Sequence, residues 1–169
     1  MTLETDRLIL HPLTHNQLLK YVRNDNSLEK ELKLKPGKNI ISDELEQAIR
    51  ETILPNVIDS NKNYLYNTLW SIISKADEQL IGDLCFVGEP DANGEIEIGY
   101  STYPEFRNKG FMTEAIGRLV KWAATQPEVK MITASTEVDN IASYSILEKN
   151  NFEKITEGEG MFTWKLSLK

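Results

Sequence analysis

The sequence predicts a single α+β domain built around one mixed sheet, and three observations lead to this prediction. The chain has 169 residues, 40% of them hydrophobic, which is enough for one core of ordinary size. No repeat, low-complexity tract or linker rich in Pro, Gly and Ser divides it. The predicted elements follow the order strand, two helices, three antiparallel strands, helix, strand, helix, two strands, which is typical of an α+β sheet protein.

The N-terminal third contributes the first strand and two helices. The strand is predicted over residues 7–10, which are mainly apolar. Thr14 followed by Gln17 fits a capping box and predicts the start of the first helix. The second helix is predicted over residues 43–54, and Pro55 is expected to interrupt it because proline has no backbone N–H to donate.

The remaining two thirds of the chain contain the other strands and two further helices. Strands are predicted over residues 64–74, 79–88, 95–102, 129–136, 152–156 and 161–168, and helices over 110–125 and 140–150. Within the first of these helices, Ile116, Leu119, Val120 and Ala123 follow helical spacing. They predict one apolar stripe that faces the sheet.

Composition excludes several classes of protein. The 26 acidic and 19 basic residues give a net charge of -7, which argues against a nucleic-acid binder and favours a cationic or neutral partner. A single cysteine, Cys85, excludes an internal disulfide framework and a cysteine-rich zinc site. No apolar run approaches the roughly 18 residues of a membrane span. We therefore expect a cytoplasmic protein that binds neither nucleic acid nor membrane.

Common catalytic motifs are also absent. The sequence contains no Gly-x-Gly-x-x-Gly, Walker A, Gly-x-Ser-x-Gly or His-Glu-x-x-His motif. The two histidines, His11 and His15, have no matching acidic or thiol partners nearby in sequence. We expect both to be structural or solvated, and we expect no metal.

One turn carries the strongest chemical signal. Residues 107–110, Arg-Asn-Lys-Gly, lead from the strand at 95–102 directly into a helix. Consecutive N–H groups at a helix start, with Arg107 and Lys109 beside them, can bind a pyrophosphate. Gly110 lets the backbone approach the anion closely. The alternative is an ordinary strand–turn–helix connection with solvated cations.

Three stretches of the sequence, in order, resemble one family. Residues 95–115 resemble motif A of the GNAT acyl-CoA N-acyltransferases, with its Arg/Gln-x-x-Gly-x-Gly/Ala turn. Asn140-x-x-Ser143 and the segment 147–152 are similar to the family's Asn-x-x-Ser/Ala helix and its Glu-Lys-x-Gly-Phe ending. Residues 3–10 resemble the opening of the ribosomal-protein-alanine (RimJ/RimL-like) branch. The resemblance covers nearly the whole chain.

The resemblance implies a fold, a co-substrate and a reaction. The GNAT fold has one mixed, mostly antiparallel sheet that is splayed at its centre and flanked by helices. The pantetheine arm of acetyl-CoA would lie in the gap between strands 95–102 and 129–136, and the pyrophosphate would lie on the basic turn. The implied acetyl-CoA contacts are Tyr100, Ser101, Thr102, Arg107, Asn108, Lys109, Gly110, Phe111, Met112, Thr113 and Asn140. The reaction would be direct attack of an amine on the acetyl carbon, with backbone N–H groups polarising the carbonyl.

Three residues depart from the family pattern. Met112 stands where Gly or Ala is usual, which would tighten the phosphate turn. Asn151 replaces the usual Gly before Phe152, and Asn also tolerates the left-handed conformation at a helix end. Leu147 stands where the family often has the tyrosine that protonates the leaving thiolate. Met112 and Leu147 keep open an alternative function, a non-catalytic CoA-binding regulatory or interaction module.

The proton-transfer residues are therefore predicted from neighbouring positions. Ser143 and Tyr144 lie three and four residues after Asn140, so both are candidates for the acid, and Ser143 is preferred because it matches the branch. Packing roles are the alternative for both. Glu97 matches the family's strand glutamate and is the candidate base, because an ammonium must lose a proton before it can attack. Alternatively, Glu97 only attracts a cationic substrate.

The acceptor amine is not determined by the sequence. The branch resemblance indicates a protein N-terminus, whereas the acidic charge balance favours a small cationic amine. A homodimer is compatible with the sequence, which does not determine the oligomeric state.

Overall fold

The computed structural model describes residues 1–169 and confirms the α+β class. The helices are α1 His15–Arg23, α2 Ser27–Glu31, α3 Asp43–Ala48, α4 Leu54–Val57, α5 Tyr64–Asn67, α6 Phe111–Ala123 and α7 Ile141–Lys149, with a π-helical turn at Ile49–Ile53 and a 3₁₀ turn at Pro104–Phe106. The strands are β1 Leu3–Glu4, β2 Leu8–Pro12, β3 Leu69–Ser74, β4 Gln79–Phe86, β5 Glu95–Thr102, β6 Met131–Glu137, β7 Glu153–Gly158 and β8 Met161–Ser167. None of the helices is both long enough and apolar enough to cross a membrane.

The eight strands form one open sheet in the order β1-β2-β3-β4-β5-β6-β8-β7. All neighbours are antiparallel except β5 and β6, which are parallel. The β5–β6 pairing runs only from Glu95 opposite Met131 to Glu97 opposite Thr133, whereas β5 stays paired with β4 as far as Thr102. The sheet therefore splits after Glu97, which confirms the predicted splay at its centre.

Helices α6 and α7 cover one face of the sheet. Alternation along β5 buries Ile98, whose cross-strand neighbour Phe86 packs on Trp122 of α6 with ring centroids 5.8 Å apart. On the β8 side of the split, Trp164 stacks on Tyr144 of α7 at 5.9 Å. The predicted stripe of α6 is confirmed, because its apolar residues belong to this core.

The opposite face is covered only in part. Over β4 it is covered by α1, since the Tyr21 hydroxyl donates to Asp83 Oδ2 at 2.6 Å. Towards β6 the residues on this face are polar and more accessible, and Glu97, Ser135 and Glu137 are all exposed. One half of the sheet thus has solvent on the face opposite α6 and α7.

Two predicted elements differ in the structure. The helix predicted over 43–54 starts after a Ser42 cap and continues to Val57, with the π turn in its middle. Leu54 donates its N–H to Ile49 O, five residues back, and Pro55 then falls in the first turn of α4. The helix is continuous there, so Pro55 follows a π turn in which the regular bonding to the fourth residue back is already interrupted, and it has no N–H to donate.

The strand predicted over 64–74 begins later than expected. Residues 64–67 form one helical turn, α5, and β3 starts only at Leu69. The Asn63 side chain accepts a hydrogen bond from Leu65 N–H and caps this turn. The local cap outweighs the strand preference of the aromatic residues that follow it. Two short elements, β1 and α2, were not predicted.

Candidate acetyl-CoA site

A cleft of about 630 Å³ lies between the end of β5, the turn after it, the start of α6 and one side of α7. It brings together most of the predicted site residues, namely Tyr100, Ser101, Thr102, Arg107, Asn108, Gly110, Phe111, Met112, Thr113, Asn140 and Ser143. Glu97, Lys109 and Tyr144 do not line it. Five further lining residues were not predicted from the sequence, namely Phe106, Ala142, Ser145, Ile146 and Lys149.

The turn before α6 leaves backbone N–H groups without partners. Asn108 and Gly110 both have positive φ, 62° and 78°, and Gly110 is the N-cap of α6. No side chain caps this end, and the first helical bond is donated by Glu114 to Gly110 O. The N–H groups of residues 111–113 therefore lack helical partners. Together with the helix dipole, they fit a pyrophosphate.

The cations near this turn are arranged differently from the prediction. Arg107 lines the cleft and donates from Nε to Thr102 O at 3.0 Å. Lys109 instead lies against Phe106, with Nζ 5.4 Å from the ring centroid. Lys149, at the end of α7, lines the cleft and adds a positive charge that sequence analysis did not assign.

The N-terminal segment contacts the turn before α6 through Arg7. Arg7 forms an ion pair with Glu114 of α6 (Nε–Oε2 2.7 Å) and donates from Nη1 to Lys109 O at 3.0 Å. Its guanidinium carbon lies 4.6 Å from the centroid of the Phe111 ring. Partial burial would raise the pKa of Glu114, but hydrogen bonds from Thr5 and Arg7 outweigh it and lower that pKa. We call Thr5, Arg7 and Glu114 the N-terminal clamp.

Helix α7 presents one side to the cleft. Asn140 caps the helix, its side-chain oxygen accepting from Ser143 N–H at 3.1 Å. The missed residues Ala142, Ser145, Ile146 and Lys149 follow the i, i+3, i+4, i+7 spacing of one helix side. That spacing is the signal that could have identified them.

Tyr100 reaches across the split to α7. Its hydroxyl donates to Ser143 O at 2.9 Å and accepts from Ser143 Oγ at 3.1 Å. Burial raises the pKa of Tyr100, and the hydrogen bond with Ser143 opposes this rise. Tyr100 was predicted only as an acetyl-CoA contact, yet its phenol is hydrogen-bonded to Ser143, the preferred acid candidate.

Tyr144 points away from the cleft. Its ring stacks on Trp164 at 5.9 Å and meets Phe162 edge-on at 5.7 Å. Leu147 is fully buried. Tyr144 therefore packs among aromatic side chains, which is the alternative role given for it above. Ser143, in contrast, lines the cleft together with Asn140.

The other two residues that depart from the family pattern are Met112 and Asn151. Met112 is 4% exposed and lines the cleft, and the cleft has a volume of about 630 Å³ with this side chain in place. Asn151 has φ 66°, the left-handed conformation that Asn tolerates in place of Gly.

Glu97 lies at the base of the split on the face opposite Tyr100, where it is the last β5 residue paired with β6. Its side chain is exposed. An amine can therefore approach from the Glu97 side and a thioester from the α7 side. No group of three or more His, Cys, Asp or Glu side chains is placed to hold a metal ion.

Comparisons with known proteins agree with this geometry. The family model described as acetyltransferase (GNAT) domain matches residues 7–153. YjdG, an uncharacterized N-acetyltransferase of Bacillus subtilis (strain 168), is 34% identical over 153 residues, which cover 89% of this chain and 88% of that protein.

Two solved structures show the same fold. The ribosomal-protein-S5-alanine acetyltransferase from Vibrio fischeri has a TM-score of 0.73 at 16% identity, covering 99% of this chain and 96% of that chain. RimL, a ribosomal L7/L12 alpha-N-protein acetyltransferase in complex with coenzyme A, has a TM-score of 0.68 at 16% identity, covering 99% and 98%. The fold agrees with the sequence matches. The chain belongs to the GNAT family of acetyltransferases.

Proposed function

We propose that this N-acetyltransferase transfers the acetyl group of acetyl-CoA to a cationic primary amine that enters from the Glu97 face of the sheet. The observation that carries the proposal is the split between β5 and β6. It begins directly after Glu97, and the residues around it face opposite sides, with Tyr100 and Ser143 on one and Glu97 on the other. This arrangement supports direct attack in a ternary complex, since each substrate has its own side of the sheet.

The residues of the cleft suit acetyl-CoA as co-substrate. The free N–H groups at the start of α6, with Arg107 and Lys149 nearby, would hold the pyrophosphate. The edge of β5 at residues 100–102 has no strand partner on the β6 side, so its backbone groups other than Thr102 O, which accepts from Arg107, are available to the pantetheine amides. Asn140 lines the same cleft and keeps its amide N–H₂ free, because only its oxygen serves the cap.

The acceptor must carry an amine that arrives mainly as ammonium. Glu97 and Glu137 are exposed on the open face, and the chain has a net charge of -7. A protein N-terminus and a small polyamine both present a primary ammonium. The name of RimL states an alpha-N-protein acceptor, which makes an N-terminal peptide the first acceptor to test and a polyamine the second.

Glu97 is the proposed proton acceptor on this face. An ammonium has no lone pair, so a carboxylate at the entrance to the split would take its proton before attack. The Glu97→Gln variant keeps the size of the side chain and removes its basicity. We expect turnover to fall by about 10- to 100-fold near pH 6.5 and to recover partly at higher pH, as free amine accumulates.

The test is release of free CoA thiol with an N-terminal peptide and with a polyamine, measured from pH 6.5 to pH 9. Glu95→Gln is the matched control, because Glu95 lies two residues earlier on the same face. If wild-type protein binds acetyl-CoA but releases no thiol with any amine, the alternative of a CoA-binding module is correct. A Glu97→Gln variant that behaves like Glu95→Gln at every pH would remove Glu97 from the mechanism.

A further inference from the structure

We propose that Tyr100 is the acid that protonates the departing CoA thiolate. In the same proposal Ser143 orients the Tyr100 hydroxyl and relays a proton back to it after the transfer. This inference rests on the proposed function, because a leaving thiolate exists only if acetyl transfer takes place. It assigns a catalytic role to a residue for which the family resemblance implied only contact with acetyl-CoA.

The alternatives for this role are weakened by their surroundings. Tyr144 is enclosed between Trp164 and Phe162, and Leu147 has no titratable group. Tyr100 is the only tyrosine among the residues that line the cleft. Ser143 also lines the cleft, but its hydroxyl already donates to Tyr100 Oη. An aliphatic hydroxyl is also a far weaker acid than a phenol.

The hydrogen bonds leave the Tyr100 proton free to move. It points at Ser143 O, a carbonyl in the first turn of α7 whose own partner is the helical N–H four residues later. Transfer of the proton to sulfur therefore does not leave that carbonyl unpaired. The Ser143 Oγ–H remains directed at Tyr100 Oη, where it stabilises the phenolate that forms.

The step balances. The amine nitrogen forms a bond to the acetyl carbon, the carbon–sulfur bond breaks, and the sulfur leaves with the electron pair. The Tyr100 proton moves to sulfur and gives the free thiol. Water then returns a proton to the phenolate through the Ser143 hydroxyl, which donates to Tyr100 Oη and accepts from the water in the same step, so no alkoxide forms. The proton lost by the amine leaves on the Glu97 side. No oxidant or metal is required.

Burial in the cleft raises the pKa of the Tyr100 phenol and that of the CoA thiol alike. It raises the pKa of Tyr100, so the phenol is protonated at neutral pH. A thiolate in the same desolvated cleft is also a stronger base than in water, so the two acidities stay close.

The first test compares three variants by steady-state kinetics and by binding of CoA. Tyr100→Phe should lower kcat by about 100-fold or more and change the Kd of CoA by less than about threefold, because an acid acts in the transition state. Ser143→Ala should lower kcat less, and Tyr144→Phe, the matched control, should behave like wild type. Wild-type-like kcat in Tyr100→Phe, or greater damage in Tyr144→Phe, would overturn the assignment.

The second test needs only folded wild-type enzyme and Ser143→Ala. If Tyr100 is the acid, wild-type kcat falls at alkaline pH as the phenol ionises. The fall moves to higher pH in Ser143→Ala, because the hydrogen bond that lowers the pKa of Tyr100 is lost. If Ser143 is itself the acid, there is no such fall in either protein. Absence of any turnover in wild type, with CoA still bound, would instead refute the proposed function.

Discussion

The carboxyl group of Asp83 lies in the middle of the sheet and is 3% exposed. Both Tyr21 and Tyr103 donate to its Oδ2, at 2.6 and 3.2 Å, while its Oδ1 has no partner. Burial raises the pKa of Asp83 from 3.8 to about 7, although the hydrogen bonds from the tyrosines oppose this. The group is therefore protonated in the folded state over a pH range in which the unfolded chain is ionised.

The stability of the fold should depend on pH through this residue. Between about pH 4 and pH 7 only the folded state keeps the Asp83 proton. Folding then takes up a proton, and stability falls as the pH rises. Asp83→Asn should gain stability relative to wild type on going from pH 5 to pH 8, on the order of 2 to 4 kcal/mol. Urea unfolding at both pH values measures this gain, and the exposed Asp6→Asn serves as control. A constant difference at the two pH values would contradict the assignment.

At the scale of elements, the N-terminal clamp joins β2 and the segment before it to the start of α6. Arg7 and Glu114 are 107 residues apart in the chain. The Arg7 side chain is 46% exposed, and ion pairs this accessible contribute about 0–1 kcal/mol to stability. Its hydrogen bond to Lys109 O instead fixes the shape of the turn that we propose binds the pyrophosphate.

Arg7→Ala should therefore weaken CoA binding more than it weakens the fold. We expect about a tenfold higher Kd for CoA, which corresponds to ~1.4 kcal/mol, with little change in Tm. Arg118→Ala is the matched control, because Arg118 donates to Glu4 O at 3.1 Å and ties β1 to α6 away from the turn. Calorimetric titration with CoA gives the Kd of each variant. Equal affinities in the two variants would show that the clamp does not position the turn.

At the scale of the whole molecule, the negative charge should favour acceptors of high positive charge. The chain carries a net charge of -7, and Glu95, Glu97 and Glu137 are exposed on the open face. Attraction of this kind raises association rates at low salt and is screened beyond a Debye length, ~10 Å at 0.1 M.

We expect kcat/KM for a polyamine to fall by about 5- to 10-fold between ~20 and ~300 mM salt, and to fall less for a monoamine of similar length. Initial rates with both acceptors at several salt concentrations measure the two dependences. Parallel dependences would mean that the net charge does not guide the acceptor, and would favour recognition by local contacts only.

Much of the fold could be predicted from sequence because the deciding signals are local. Alternation identified β5 with its observed bounds, and the Thr14–Gln17 capping box is present as expected. Pro55 and the start of β3 were mispredicted for local reasons as well. The Asn63 cap is a residue preference that competes with the strand preference of the residues after it, whereas the π turn depends on a hydrogen bond that residue preferences do not encode.

The sequence by itself determined the order of the main elements, the position of the turn before α6 and the family, since each depends on residues close together in the chain. Only the tertiary structure decided which side chains face the cleft. Whether Tyr144 presents its phenol there depends on how α7 is rotated against Trp164, and Arg7 reaches the turn only after β2 and α6 are packed together. Such contacts form between distant segments, where the burial of large apolar side chains sets the orientation and short sequence patterns carry no information about it.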